Sequence, residues 1–296
     1  MSAPNSRRDR DRDRDHGGHS GSAAPSAQSP LRVHNLGSGS SGNALLIASG
    51  GAALLVDCGV ERRRLVAGLA AAEISPASLA AVLVSHEHGD HVRSLPLLTG
   101  VGVTVVATEG TLAALGQRRD GVEPIAVGRD TPVAGFVVTA LPVHHDARQP
   151  TGFTVAVADQ RITVLTDLGQ TDDSLLEAIV ESDLIVLEAN HDEALLREGP
   201  YPPQLKRRIL SPRGHLSNAN SALLLANALR RSRRHPTIWL AHLSQTNNRP
   251  ALACETVRAA LRAAGLDAPV ASLHRSGTSQ VWEANPARPS QLRLPW

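Results

Sequence analysis

Six consecutive residues, His86-Glu87-His88-Gly89-Asp90-His91, hold three imidazoles and two carboxylates. They follow the apolar run Ala-Ala-Val-Leu-Val-Ser at 80–85. His86 and His88, two apart, can face one cation, and Asp90 and His91, further round the loop, can face a second. Gly89 permits the sharp bend this requires. Imidazole combined with carboxylate suits zinc, manganese or iron rather than calcium. The whole chain has 13 His in 296 residues. Three within six, directly after a buried strand, is the spacing of a metal loop rather than of a polar surface turn.

Other polar residues stand where apolar runs stop. Asp57 follows 52–56, Asp167 follows 161–166 and His242 follows 237–241. His144 and His145 follow 136–142; being adjacent on an extended backbone they point oppositely, so one of the two can reach a metal and the other cannot. If these strands share a sheet edge, their ends converge and the loops there carry function on a rigid frame. His191 and His215 sit in polar loops after apolar segments. His215 lies just ahead of a helix start at Ser217-Asn218, whose free N–H groups favour an anion.

The elements that must hold these residues alternate in type. Apolar runs at 32–36, 44–48, 52–56, 80–85, 103–107, 136–142, 151–158, 161–166, 184–188, 237–241, 270–273 and 280–283 read as strands. Helical spacing covers 61–72, 109–118, 174–181, 218–231 and 251–264, and the pattern is that of an α/β fold. Order begins near Leu31. Residues 1–30 hold five Arg and four Asp among Gly, Ser, Ala and Pro, with almost nothing to bury, and read as a disordered leader. One domain over 31–285 and a loose tail at 286–296 complete the organisation.

Composition removes several classes. No run approaches the ~20 apolar residues of a membrane span, and no apolar stretch follows the early arginines as in a signal peptide. Cys58 and Cys254 are the two cysteines, so no disulfide framework is expected and the cytoplasm is the default compartment. Six aromatic residues are too few for a base-stacking platform. The net charge is +2, but residues 199–254 contain nine Lys and Arg and no acid, leaving −7 elsewhere. A one-sided field of that kind attracts a polyanion. Arg207 and Arg208 are the phosphate contacts it suggests, with Asn218 at the helix start beside them.

H-x-H-x-D-H after a strand resembles the metallo-β-lactamase family, over most of 31–285. Leu36-Gly-Ser-Gly-Ser-Ser-Gly-Asn43, His145-Asp-Ala147, Ala189-Asn-His-Asp192, Gly199-Pro-Tyr-Pro202, Leu205-Lys-Arg-Arg208, Gly214-His-Leu-Ser-Asn218 and His242-Leu-Ser244 with Asn247-Asn248 are similar to its WalJ (YycJ-like) branch, related to tRNase Z-type nucleases. The resemblance implies a four-layered αββα sandwich and a hydrolase with two divalent metal ions, zinc or manganese. It selects His145 over His144. It implies that His86, His88 and His145 serve one ion and Asp90, His91 and His242 the other, with Asp167 bridging. Asp57, and with it His191, would orient ligands from behind. The implied activity is phosphodiester hydrolysis of DNA, exonuclease-type, by a metal-bridging hydroxide that Asp90 orients, with His215 protonating the leaving oxygen. Where the branch has Asp-Ala-Gly, this chain has Asp57-Cys58-Gly59, which leaves the carboxylate in place. Two alternatives are a hydrolase of thioesters, lactones or lactams on the same fold, and a nucleic-acid-binding protein that keeps its metals for structure.

Overall fold

The computed structural model describes residues 30–116, 121–276 and 280–284. The expected leader (all but Pro30), the tail at 286–296 and residues 117–118 of the helix expected at 109–118 lie outside the described residues; that helix ends at Ala114, and residues 115–116 already form a turn. Two seven-stranded sheets face each other. The first contains β1 (Arg32–Gly37), β2 (Ala44–Ser49), β3 (Ala52–Val56), β4 (Ala81–Leu83), β5 (Thr104–Ala107) and β6 (Val122–Pro124). The second contains β7 (Asp130–Val133), β8 (Phe136–Pro142), β9 (Thr151–Val157), β10 (Gln160–Leu165), β11 (Leu184–Glu188), β12 (Thr237–Ala241) and β13 (Val270–Ser272). The last strand, β14 (Gln280–Glu283), returns to the first sheet and pairs antiparallel with β1.

Both sheets begin as antiparallel hairpins and become parallel where strands end in polar residues. β3, β4, β5 and β6 are mutually parallel, as are β10, β11, β12 and β13. Between the sheets lies an apolar layer that includes Val33, Ile47, Leu54, Phe136, Phe153, Ile162 and Trp239. Outside the first sheet, Leu65 and Leu69 of α1 (Arg62–Ala71) pack beside Leu95 and Leu98 of α3 (Leu95–Thr99) and Leu112 of α4 (Glu109–Ala114); α2 (Gly89–Val92) is the short helix inside the metal-loop segment. Outside the second sheet stand α5 (Asp173–Val180), α8 (Asn218–Leu229) and α9 (Pro250–Ala263), after the short α6 (Glu193–Glu198) and α7 (Pro203–Ile209). Burying one sheet face inward and the other under helices gives four layers, αββα.

The structure departs from the sequence reading in several further places. The strand expected at 80–85 covers only Ala81–Leu83, with Val84 N still donating to Val106 O at 2.9 Å. β6 and β7 were not expected: Val-Glu-Pro and Asp-Thr-Pro-Val are short, half-exposed edge strands with little apolar signal. α6 and α7 occupy what the sequence showed only as polar motifs. Finally, the polar strand ends belong to two sheets, not one. Asp57 and His86 come from the first, His145, Asp167 and His242 from the second, and they meet at the shared rim of the sandwich.

Candidate metal centre

Three of the strand-end residues leave their strands in the left-handed region: Asp57 at φ 56°, Asp167 at φ 57° and His242 at φ 54°. That conformation is uncommon for residues with a Cβ, and Asp and His are among those that tolerate it best. It swings the chain sharply off the sheet.

The His86–His91 loop is clamped from behind. Asn43 N donates to Asp90 O at 2.8 Å, Cys58 N to His91 O at 2.7 Å, and Ser94 N to Cys58 O at 2.9 Å. Backbone runs so close to backbone here that a Cβ on Gly59 would fall 1.7 Å from Asp90 O. Glycine is therefore required at 59 for contact distance alone.

Four buried imidazoles of the centre each have one nitrogen tied down and the other turned inward. His91 Nδ1 is 2.7 Å from Asp57 Oδ2, and Asp57 is held in turn by Ser85 N at 2.8 Å and Ser85 Oγ at 2.9 Å. His86 Nδ1 meets Ser85 Oγ at 3.0 Å. His145 Nδ1 donates to Gly214 O at 3.2 Å. His242 Nδ1 is 2.7 Å from Glu188 Oε1. Fixing one ring nitrogen sets the tautomer and aims the other, the arrangement found behind metal-bound histidines.

The inward atoms cluster. His86, His88 and His145 place donor atoms within 4.8 Å of one another, as do Asp90, His91 and His242, and likewise His86, His91 and Asp167. Asp167 lies between the first two trios: Oδ2 is 3.0 Å from His91 Nε2 and Oδ1 is 3.8 Å from His145 Nε2. His86 Nε2, His242 Nε2 and Asp167 Oδ2 are buried and make no hydrogen bond of acceptable geometry. Leaving such atoms unpaired is costly, and divalent cations would satisfy all three, so the residues present fit the metal ions implied by the family.

Charge is arranged to match. Burial opposes ionisation of Asp167, but His242 and His91 outweigh it and hold its carboxyl well below the usual range. Glu188 is treated likewise, lowered to about 2 against its burial by the charge and hydrogen bond of His215 and by the hydrogen bond of His242. Burial works against a proton on His242, yet Asp167, Asp90 and Glu188 raise it to about 10. His91 is also raised well above the ordinary imidazole value, Asp57 and Asp167 overcoming burial. Burial lowers His86 and His145. In the metal-free protein, protons on His91 and His242 thus offset the carboxylates.

Glu188 is the functional residue that the sequence reading missed. It closes β11, where Leu-Ile-Val-Leu-Glu reads as a strand boundary, yet it is fully buried. Its Oε1 meets His215 Nδ1 at 2.9 Å and His242 Nδ1 at 2.7 Å, and its Oε2 accepts from Leu168 N and Leu216 N, both at 3.1 Å. A lone acid ending a wholly apolar strand was the available signal. Ser85 and Asn43 were also overlooked; Asn43 Nδ2 is 3.1 Å from His91 Nε2, with Asn43 Oδ1 accepting from Gly39 N at 2.8 Å.

Other expected residues fall into two groups. His215 joins the centre, its ring centroid 5.3 Å from that of His145 and 5.2 Å from that of His242. Glu188 and its hydrogen bond raise the His215 pKa in spite of burial. His144 is exposed and turned toward Asp172, 3.9 Å away. His191 is buried with both ring nitrogens unpartnered, touches none of the donor trios, and passes its carbonyl to Asn218 N at 2.8 Å. Asn218 does not face a substrate: its amide is buried and paired with Asn248 at 3.0 and 2.8 Å. Arg207 is exposed, whereas Arg208 grips Asp146 Oδ2 at 2.6 and 2.8 Å. Arg213 instead reaches His145 O at 3.3 Å.

The β-lactamase superfamily domain profile matches residues 53–239, from β3 to the middle of β12. The chain belongs to the β-lactamase superfamily. Among curated relatives, the exodeoxyribonuclease YycJ of Bacillus anthracis is 33% identical over 241 residues, 79% of this chain and 90% of that protein. The exodeoxyribonuclease WalJ of Streptococcus pneumoniae is 34% identical over 230 residues, 75% of this chain and 85% of that protein. Among solved structures, the metallo-β-lactamase fold protein YhfI of Bacillus subtilis superposes with a TM-score of 0.65 at 19% identity, covering 86% of this chain and all of that one. As a superfamily member the chain is a metallo-β-lactamase-fold hydrolase. No described helix is long and apolar enough to cross a membrane.

Proposed function

We propose that this protein is a two-metal nuclease that removes nucleotides from DNA ends. Two observations together carry the reading. Asp167 stands between two donor trios beside the hydrogen-bonded pair Glu188–His215, and the chain matches most of the length of relatives named exodeoxyribonucleases.

In this reading His86, His88 and His145 hold one ion, Asp90, His91 and His242 the other, and Asp167 serves both. Zinc and manganese each suit this donor set. Bound divalent ions supply Lewis-acid stabilisation of a phosphoryl group and a water of lowered pKa. The side chains do the rest. Asp57 and Ser85 keep His91 and His86 aimed, and Gly214 does so for His145. Asp90, reached by His242 Nε2 at 3.6 Å, stands where it can orient a water and take up its proton. His215 Nδ1 is committed to Glu188, so its Nε2 is left for the leaving oxygen. Glu188 and its hydrogen bond raise the His215 pKa against burial, which favours a proton on that ring. Arg213, which donates to His145 O, stands on the His145 side of the centre with Arg207 exposed on the same segment, where a strand's phosphates would pass. Arg208 instead steadies the His145-Asp146 turn.

The test is a panel of end-labelled DNA, end-labelled RNA and a chromogenic lactam, incubated with protein and either Mn or Zn. Stepwise shortening of DNA is expected. Intact DNA and RNA beside rapid lactam turnover would sink the reading. His215→Ala is expected to lower kcat with metal content retained.

A further inference from the structure

A second group of cations gathers on a turn that touches His91 and His242 rather than His145. The turn at residues 37–43 is moored at both ends to the metal-site residues of the Asp90–His91–His242 trio: Ser38 Oγ accepts from His242 N at 2.8 Å, and Asn43 Nδ2 reaches His91 Nε2 at 3.1 Å. Its tip, Ser40 and Ser41, is exposed. Three arginines from distant parts of the chain close on this turn. Arg93, just past the metal loop, donates to Ser41 O at 3.1 Å. Arg275, after β13, lays its guanidinium against Gly39, whose absent Cβ would sit 3.0 Å from it, and donates to Leu243 O. Arg64 of α1 donates to Arg275 O, with its guanidinium beside Gly37.

Among the described residues, none of the three lies within ion-pair distance of a carboxylate, a property they share with Arg207 and Arg213 but not with Arg208, which is bound to Asp146. Three guanidinium groups have been gathered on main-chain carbonyls, which take up one or two donors each without neutralising them; Glu61 acts on Arg64 only from beyond ion-pair distance. A guanidinium has five donors in a planar fork suited to a phosphate. The Arg207–Arg213 segment leans on the His145 side of the centre through Gly214 O and Arg213, while this turn leans on the His91 and His242 side.

We propose that Arg64, Arg93 and Arg275 form a second phosphate-binding rim. It takes a phosphate of the nucleic-acid strand across the scissile linkage from the one that meets Arg207 and Arg213. The proposal rests on the nuclease reading above. It makes the centre a saddle gripped from both sides, with the scissile phosphate over the metals.

The experiment uses the full chain and single-stranded DNA oligonucleotides that are 5′-phosphorylated, 3′-phosphorylated or unphosphorylated, at several salt concentrations. In Arg64→Gln/Arg93→Gln, KM is expected to rise about tenfold, with kcat within about twofold and metal content unchanged. Binding in EDTA is expected to lose roughly 0.7 of its log–log salt slope, as one lost phosphate contact on a single strand requires. A loss confined to one phosphorylated end assigns the rim to a terminal phosphomonoester, and an equal loss on all three assigns it to an internal phosphodiester. Arg64→Lys/Arg93→Lys is expected to recover most of the slope. An unchanged KM and slope in the glutamine variant would overturn the rim, as would a lysine variant as impaired as the glutamine one, since the arginines would then act only on the turn's fold. Wild-type protein that cleaves neither DNA nor RNA fails the nuclease reading itself, a result these variants cannot mimic.

Discussion

His215 and His242 share one oxygen atom: Glu188 Oε1 lies 2.9 Å from Nδ1 of the first and 2.7 Å from Nδ1 of the second. A single buried carboxylate thus sets the tautomer of a proposed metal ligand and of the proposed proton donor together. Glu188→Gln keeps the shape but removes the charge and presents an N–H₂ to one of its partners. The variant is expected to lose about 10- to 100-fold in metal affinity or activity. His215→Ala, by contrast, should lower only kcat. Metal titration followed by kinetics at saturating metal separates the two; equal metal affinity in wild type and Glu188→Gln would refute the shared role.

Metal loading must displace protons, because a metal ligand is a neutral imidazole. With His242 raised to about 10 and His91 also raised, the metal-free centre holds protons at neutral pH. Apparent metal affinity is therefore expected to climb from pH 6 to pH 9, with proton release visible as a buffer-dependent binding enthalpy. The sign for the metal-free fold is opposite. The raised pKa of His242 contributes stability that is complete below the ordinary imidazole value near 6.5 and fades as pH rises through about 10. Thermal melts in chelator at increasing pH should show this decline, and melts with metal should not.

Gly59→Ala places a methyl where Asp90 O already stands. Relief requires the metal loop to move as a body, since its backbone is hydrogen-bonded to Cys58 and Asn43. A loss of roughly 1–3 kcal/mol is expected from overpacking, accompanied by reduced metal content. Denaturant midpoints and elemental analysis would check both; a full metal complement with unchanged stability contradicts the contact.

Asp172 offers a contrast. Its carboxylate caps α5, accepting from Ser174 N at 2.9 Å and Leu175 N at 3.2 Å. Asp172→Ala is expected to cost about 1 kcal/mol and leave metal content intact, which denaturant unfolding with parallel elemental analysis would verify.

What could be read beforehand follows from where each signal resides. Asp57, Asp167 and His242 were legible because a polar residue directly after an apolar run is a local pattern. Glu188 obeys the same pattern one position earlier, inside the strand, and was taken for its boundary. Its partners lie 27 and 54 residues away. The pairing of Arg208 with Asp146, 62 residues apart, likewise depends on tertiary contact, so a solvated phosphate-seeking arginine and a structural one looked alike. Asn218 was misjudged in the opposite sense: a helix start promised an open anion site, but Asn248 fills its hydrogen bonds. The layered frame was legible throughout its core strands and failed at β6 and β7, where burial is too slight to leave an apolar imprint, and at α3, α6 and α7, which are too short to show a helical period.

The left-handed turns at Asp57, Asp167 and His242 also bear on how this protein would respond to selection. A side chain held at positive φ costs the fold on the order of 1 kcal/mol, and glycine recovers it. Three such positions coincide with three residues of the centre. Glycine there would nonetheless leave Ser85, His91 and Glu188 without their buried partners at a larger cost, so a library sorted on heat resistance alone would keep all three side chains, and the strain survives because the atoms that aim the centre also hold it together.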